Sequence, residues 1–142
     1  MMIIVIRRLT WLAAALLLAG CTAVLQPQAS APPPSNNTAV LALLDKAHAQ
    51  ADAEQWDDAG VNLERALRIE PRNPVLWQEL ARTRLGQGQY SQAENLAAKS
   101  NALAGNSQIL LADNWHIIGQ ARSRRGDLRG AQAAFERAEQ TP

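Results

Sequence analysis

Cysteine occurs once and histidine twice in this chain of 142 residues. A protein metal site takes three or four convergent ligands. His48 and Asp52 are four apart on one helix face and His116 stands elsewhere, and no Cys or second nearby His completes a set at either. The single cysteine, Cys21, leaves no partner for a disulfide and no second thiol for redox or zinc chemistry. Nor is there a glycine-rich phosphate loop, a paired-carboxylate motif or a nucleophile elbow around any serine. No catalytic residue, metal or cofactor is therefore expected. Charge of one sign is lacking too. The 14 Lys and Arg stand against 13 Asp and Glu, so no global basic excess points to nucleic acid. Only one long apolar run exists, Leu9–Ala19, and it is about half of the roughly 20 residues that a spanning helix needs.

The position of that run is informative. It follows Met1–Arg8, which carries Arg7 and Arg8 and no acid, and it closes on the small residues Ala19 and Gly20. A basic start, a short apolar run and a small-residue end describe a secretory signal peptide over residues 1–20. Leu18-Ala19-Gly20-Cys21 resembles the lipobox of bacterial lipoproteins. The resemblance implies that Cys21 becomes the N-terminus, with a diacylglycerol on its sulfur and an acyl chain on its amine. A thiol is the nucleophile that takes such a thioether-linked lipid, and small neighbours let a peptidase close on the bond. Several acyl chains, at about 0.8 kcal/mol per buried CH₂, make the attachment stable. Thr22, where aspartate would signal inner-membrane retention in the enterobacterial sorting pattern, implies the outer membrane, facing the periplasm. Removing residues 1–20 takes Arg7 and Arg8 from the 14 basic residues and leaves 12 against 13 acidic, a net charge of −1.

Residues 21–37 read as the lipidated cysteine and a linker, with Pro27, Pro32, Pro33 and Pro34 among Ser, Ala, Gln and Asn. Proline lacks a backbone donor and favours extended geometry, so an unpacked, semi-rigid spacer is expected. At about 3.1 Å per residue its reach is on the order of 50 Å. From Thr38 the pattern turns helical and repeats. Trp56-Asp57-Asp58-Ala59 aligns with Tyr90-Ser91-Gln92-Ala93 at a spacing of 34, and Leu43 with Trp77. The next copy is offset by 38: Trp77 with Trp115, Gly88 with Gly126, Tyr90 with Leu128, Ala93 with Ala131. Turn signals fall at Gly86-Gln87-Gly88, Arg125-Gly126-Asp127 and Pro71-Arg72-Asn73-Pro74. Six helices are expected, over about 39–54, 57–69, 74–86, 90–104, 109–124 and 128–140.

With these spacings the chain resembles the tetratricopeptide repeat. Trp115-x₂-Ile118-Gly119, Gly126 and Ala131-x₃-Phe135 carry the likeness in the last copy, and Trp77-x₂-Leu80-Ala81, Gly88, Tyr90 and Ala93 in the middle one. Leu43, Ala47, Trp56, Ala59, Leu63, Ala66 and Pro71 do so in the first. Departures are Ala97 and Gly105, and Arg84 and Arg122 at the tyrosine place, which are expected to soften the middle hairpin. The implied fold is all-α, three helical hairpins in a short right-handed solenoid over 38–142, with repeats at about 40–73, 74–107 and 110–142. Small residues (Ala47, Ala81, Gly119 against Ala59, Ala93, Ala131) would let the helices of each hairpin approach closely. The last helix carries Gln132, Glu136, Arg137, Glu139 and Gln140, polar enough to cap the array, though its outer face also leaves a dimer open.

Such an array offers a concave face lined by the first helix of each hairpin. Helical spacing directs Leu41, Leu44, His48 and Asp52 to it from the first repeat. Val75, Gln78, Glu79, Arg82 and Leu85 come from the second, and Asp113, His116, Ile117, Gln120 and Arg124 from the third. Apolar anchors with a polar rim suit a peptide or helix laid in the groove. The family's chaperone-binding carboxylate clamp is absent, because Leu44, His48, Glu79, Asp113 and Ile117 occupy its places. Arg122, Arg124, Arg125 and Arg129, with only Asp127 as a nearby acid in sequence, read first as a solvated turn of the repeat, and otherwise as a surface for an acidic partner, anionic lipid headgroups or glycan-linked acids.

The layout is similar to that of Lpo-type tetratricopeptide lipoproteins, outer-membrane activators of class A penicillin-binding proteins. That likeness implies a non-enzymatic, lipid-anchored module that binds a synthase of the peptidoglycan layer. The partner would have to extend most of the way across the periplasm to meet so short a tether. A pilotin or assembly lipoprotein of a type IV pilus or secretion system is the competing role, and a periplasmic enzyme or glycan-binding accessory the competing class. A Cys21→Ser variant is expected to lose labelled palmitate and to leave the membrane fraction; retention of both would exclude the lipid anchor.

Overall fold

The computed structural model describes residues 34–141. The expected signal peptide, Cys21 and the linker up to residue 33 lie outside the described residues, as does Pro142. Six helices follow one another: α1 (Thr38–Asp52), α2 (Trp56–Ile69), α3 (Pro74–Gly86), α4 (Tyr90–Leu103), α5 (Gln108–Arg124) and α6 (Leu128–Glu139). Each packs on the next, and α3 also meets α5, so the three hairpins stack as a solenoid. No described helix is long and apolar enough to cross a membrane.

Local chemistry explains the starts. The Asn37 side chain caps α1 by accepting from the amides of Ala39 (2.9 Å) and Val40 (3.4 Å). Asn73 caps α3 through the amide of Val75 (3.0 Å), with Pro74 supplying the preset φ of a first helical residue. Asp127 caps α6 through the amide of Gly130 (2.9 Å).

The turn inside each hairpin is the same motif three times. The amide of Gln55 donates to the carbonyl of Gln50, Gln89 to Arg84 and Asp127 to Arg122, while Glu54 donates to Ala51, Gly88 to Leu85 and Gly126 to Ser123. This is a Schellman ending, which needs a left-handed residue at its second-to-last place. Glu54, Gly88 and Gly126 fill it with φ of 58°, 74° and 85°. Two repeats use glycine there, and the first holds a glutamate in a conformation that costs a side-chain-bearing residue about 1–2 kcal/mol.

The core is built from small and aliphatic side chains. Val40, Leu44, Ala47, Ala59, Leu63, Ala66, Leu67, Leu76 and Leu80 form one cluster between the first hairpin and α3. Ala81, Ala97, Ile117, Ile118 and Ala134 form a second between the later helices. All the small residues expected at the hairpin crossings are buried, including Gly119. A methyl on Gly119 would overlap the Phe135 ring, with Cδ1 at 2.6 Å. Between α4 and α5 the apolar pattern gives way to a polar pair. Asn114 donates to Ser100 Oγ (2.7 Å), which donates to the carbonyl of Pro74 (2.8 Å). These two stand at the repeat positions of Leu76 and Ala66, and Asn114 Oδ1 is buried without a partner among the described residues.

One expectation is corrected at the N-terminal edge. The linker does not stay unpacked through Asn37: Ser35 is buried and donates to Glu70 Oε1 (2.6 Å), and Asn73 Nδ2 donates to the carbonyl of Pro34 (2.6 Å). Residues 34–37 thus belong to the folded body, held by the α2–α3 turn. In thermal unfolding, Glu54→Gly is expected to raise stability by about 0.5–1 kcal/mol, since relieved strain outweighs the added chain entropy. Gly88→Ala, the reverse change one repeat on, is expected to lower it by a similar amount.

Candidate functional site

The inner face of the solenoid is set by register. Position by position, α1, α3 and α5 present His48, Arg82 and Gln120; then Ala51, Leu85 and Ser123; then Asp52, Gly86 and Arg124. These rungs line a trough made of two continuous hollows. One, of about 560 Å³, is bounded by His48, Ala51, Asp52, Trp56, Glu79, Arg82, Leu85 and Gln120, among others. The second, of about 590 Å³, is bounded by Trp56, Arg82, Leu85, Gly86, Tyr90, Gln120, Ser123, Arg124 and Phe135. They share Trp56, Arg82, Leu85 and Gln120, so one cleft runs across all three repeats.

A line of polar contacts starts in the trough at His48 and ends outside it at Asp113. His48 Nε2 lies 3.4 Å from Glu79, Arg82 lies 3.9 Å from the same carboxylate, and Arg82 Nη2 reaches Asp113 at 3.2 Å. His48, Arg82 and Asp113 are about half exposed, so each contact is worth little individually. Together they fix which charges in the trough are already matched. Aromatic rings form the walls. Trp56 folds against Gly86, where a methyl would stand 2.7 Å from the ring. Phe135 lies over Gly119, with the His116 ring tilted against it at 5.9 Å between centroids.

The sequence-derived surface is therefore partly relocated. His48, Glu79, Arg82, Gln120 and Arg124 line the trough. Leu44, Gln78 and Ile117 do not: all three are buried, and the correction has a packing cause. Each first helix touches its own partner helix and a neighbouring hairpin, so only a narrow strip remains for the groove. Leu44 and Gln78 face the following hairpin, where Gln78 Nε2 donates weakly to the Leu110 carbonyl at 3.5 Å. Ile117 faces the preceding one, beside Ala81 and Ala97. Leu41 and Val75 are half-buried and do not line the trough, and His116 is exposed beside Phe135. Trp56, Tyr90 and Phe135 are the trough residues that helix-face reasoning missed. Trp56 and Tyr90 begin α2 and α4 and Phe135 lies within α6, and the aromatic size shared by the repeat positions Trp56 and Tyr90 was the available signal.

The basic edge is also corrected. Glu94 of α4, distant in sequence, binds both Arg122 (2.7 Å) and Arg125 (2.8 Å). Arg84 makes the matching contact one repeat earlier, to Glu64 (2.5 Å). Glu94 occupies the repeat position of Gly60, whose missing side chain leaves room for Arg84 to pass, its Nη1 standing 3.2 Å from where a methyl would sit. The arginines at the tyrosine place thus stitch each hairpin to the one before it rather than soften the array. No group of three or more potential metal-ligating side chains occurs among the described residues.

The comparisons agree with this architecture. The tetratricopeptide repeat family pattern matches residues 50–112. The globular C-terminal domain of Pseudomonas aeruginosa LpoP is 38% identical, with a TM-score of 0.72, over 74% of this chain and 99% of that domain. The chain belongs to the LpoP-type tetratricopeptide-repeat family. At 18% identity and a TM-score of 0.66, the N-terminal domain of stress-induced protein-1 (STI-1) from Caenorhabditis elegans shares the fold, over 74% of this chain and 87% of that domain. No curated protein matches. The three-repeat tetratricopeptide array is thus a protein-interaction fold, with a trough whose central charges are paired and whose walls are aromatic. In a double-mutant cycle, Arg82 and Asp113 are expected to couple by less than about 1 kcal/mol. Glu94→Gln, which leaves two arginines without their shared carboxylate, is expected to cost about 1–2 kcal/mol in urea unfolding.

Proposed function

We propose that this chain is a lipid-anchored, periplasm-facing interaction module that binds a class A penicillin-binding protein and raises its peptidoglycan-synthesising activity. The carrying observation is the match to LpoP, 38% identical across 99% of that domain. The lipobox-like Leu18-Ala19-Gly20-Cys21 and the proline-bearing segment after it supply the anchor and spacer such a role requires. The module does no chemistry of its own in this reading. It acts by binding its partner's active arrangement better than the idle one, because a ligand shifts an equilibrium only by its difference in affinity for the two states.

With Pro34–Asn37 packed on the folded body, a spacer limited to residues 22–33 would reach about 40 Å at full polyproline extension. A partner rooted in the opposite membrane must therefore present a domain far from its own bilayer. The test is photocrosslinking in cells from the exposed trough positions Gln120 and Ser123. Capture of a class A penicillin-binding protein from both positions, and faster glycan polymerisation by that enzyme when the purified chain is added, is the expected outcome. Capture of pilus or secretion components instead, or no change in polymerisation rate, would overturn the reading.

A further inference from the structure

The trough has two charges left over, and they lie at opposite ends of a single rung. Asp52, Gly86 and Arg124 occupy the same repeat position in α1, α3 and α5. Glu79 and Asp113 both contact Arg82, and His48 lies against Glu79, as described above. Asp52 and Arg124 form no ion pair or side-chain hydrogen bond among the described residues, and both are exposed. Asp52 borders one hollow and Arg124 the other. Between them the middle place is glycine, and the Trp56 ring lies flat against it. Tyr90, at the repeat position of Trp56, stands beside Arg124 in the wall of the second hollow. Along the trough the order is therefore acid, aromatic shelf, cation with a phenol.

We infer that the trough takes an extended peptide segment carrying a basic residue, then a proline or other flat apolar residue, then an acidic residue. This rests on the proposed reading of the concave face as the partner-binding surface, and it names the chemistry of the partner's segment. The basic side chain pairs with Asp52, the apolar one lies against the part of Trp56 that borders both hollows, and the carboxylate pairs with Arg124. Packed helices stand about 8–10 Å apart, so the two steps from α1 to α5 span about 20 Å. An extended chain rises about 3.3 Å per residue, which sets the two charges about six residues apart. Asp52 and Arg124 together select against a uniformly acidic or uniformly basic segment, because either would face a like charge at one end of the rung.

The test uses the full chain and three dye-labelled peptides with blocked termini and a Pro-Pro centre, bearing Lys and Glu, two Glu, or two Lys six residues apart. Fluorescence anisotropy is expected to rank the Lys/Glu peptide at least fivefold above both others. In Asp52→Lys, the two-Glu peptide is expected to become the preferred one, while circular dichroism and melting temperature stay unchanged because Asp52 supports no fold contact. Equal binding of all three peptides, or an Asp52→Lys variant that keeps the wild-type ranking, would overturn the inference. A parallel measurement with the ectodomain of a class A penicillin-binding protein separates the two levels. Ectodomain binding that survives both Asp52→Lys and Arg124→Glu unweakened sinks this inference and leaves the proposed function standing. Failure of the ectodomain to bind the wild-type chain sinks the proposed function, and the peptide ranking then decides the inference alone.

Discussion

The distance between the two helices of a hairpin governs the rest of this molecule. Ala47 and Ala59, Ala81 and Ala93, and Gly119 and Ala131 are buried at the three crossings, and none carries more than a methyl. Close approach at the crossing pushes the larger side chains outward to the seams between hairpins, where Leu63, Leu76, Leu80 and Ile118 fill the space. It also fixes where the next first helix can sit, and so which of its residues remain open to solvent. The trough is the strip left over after two neighbours have covered each first helix. Its width is a by-product of alanine.

Much of this was legible in the repeat spacing. The periods of 34 and 38 place every turn, and all six helices begin within one residue of the places they imply. Turn chemistry is local, so Gly88, Gly126 and the Asn73-Pro74 pair could be read without a structure. The trough was less legible, because helical periodicity shows that two faces differ without showing how many neighbours each face has. Leu44 and Gln78 share a rung with His116, yet the first two are covered by a following hairpin and His116 is exposed. Ile117 shares a rung with Asp45, which is exposed because no described hairpin precedes α1. Identical register therefore gives opposite burial at the two ends of the array, and sequence position alone does not carry that information.

The arginines at the tyrosine place show a related limit. Read singly, Arg84 and Arg122 are departures from a pattern, and Arg122 is one member of a basic run. Their partners, Glu64 and Glu94, lie on the preceding second helices and are visible only once hairpins are stacked. The pair positions are not even equivalent, since Gly60 opens a path that lets Arg84 reach one helical turn further than Arg122 does. A tyrosine seals such a seam by burying apolar area, whereas an arginine does so by donating several hydrogen bonds to one carboxylate. The second solution is directional, and it ties each hairpin to a specific neighbour.

The Ser35–Glu70 and Pro34–Asn73 bonds have a mechanical consequence. A chain anchored through its N-terminus would ordinarily load its first helix, and a solenoid pulled from an end peels one helix at a time. Here the strand entering the body is gripped by the turn between α2 and α3 before α1 begins. Tension applied from the N-terminal side would pass into the junction of the first two repeats, and α1 would be spared behind the grip. The first hairpin, which supplies His48 and Asp52 to the trough, would keep its shape under such a load.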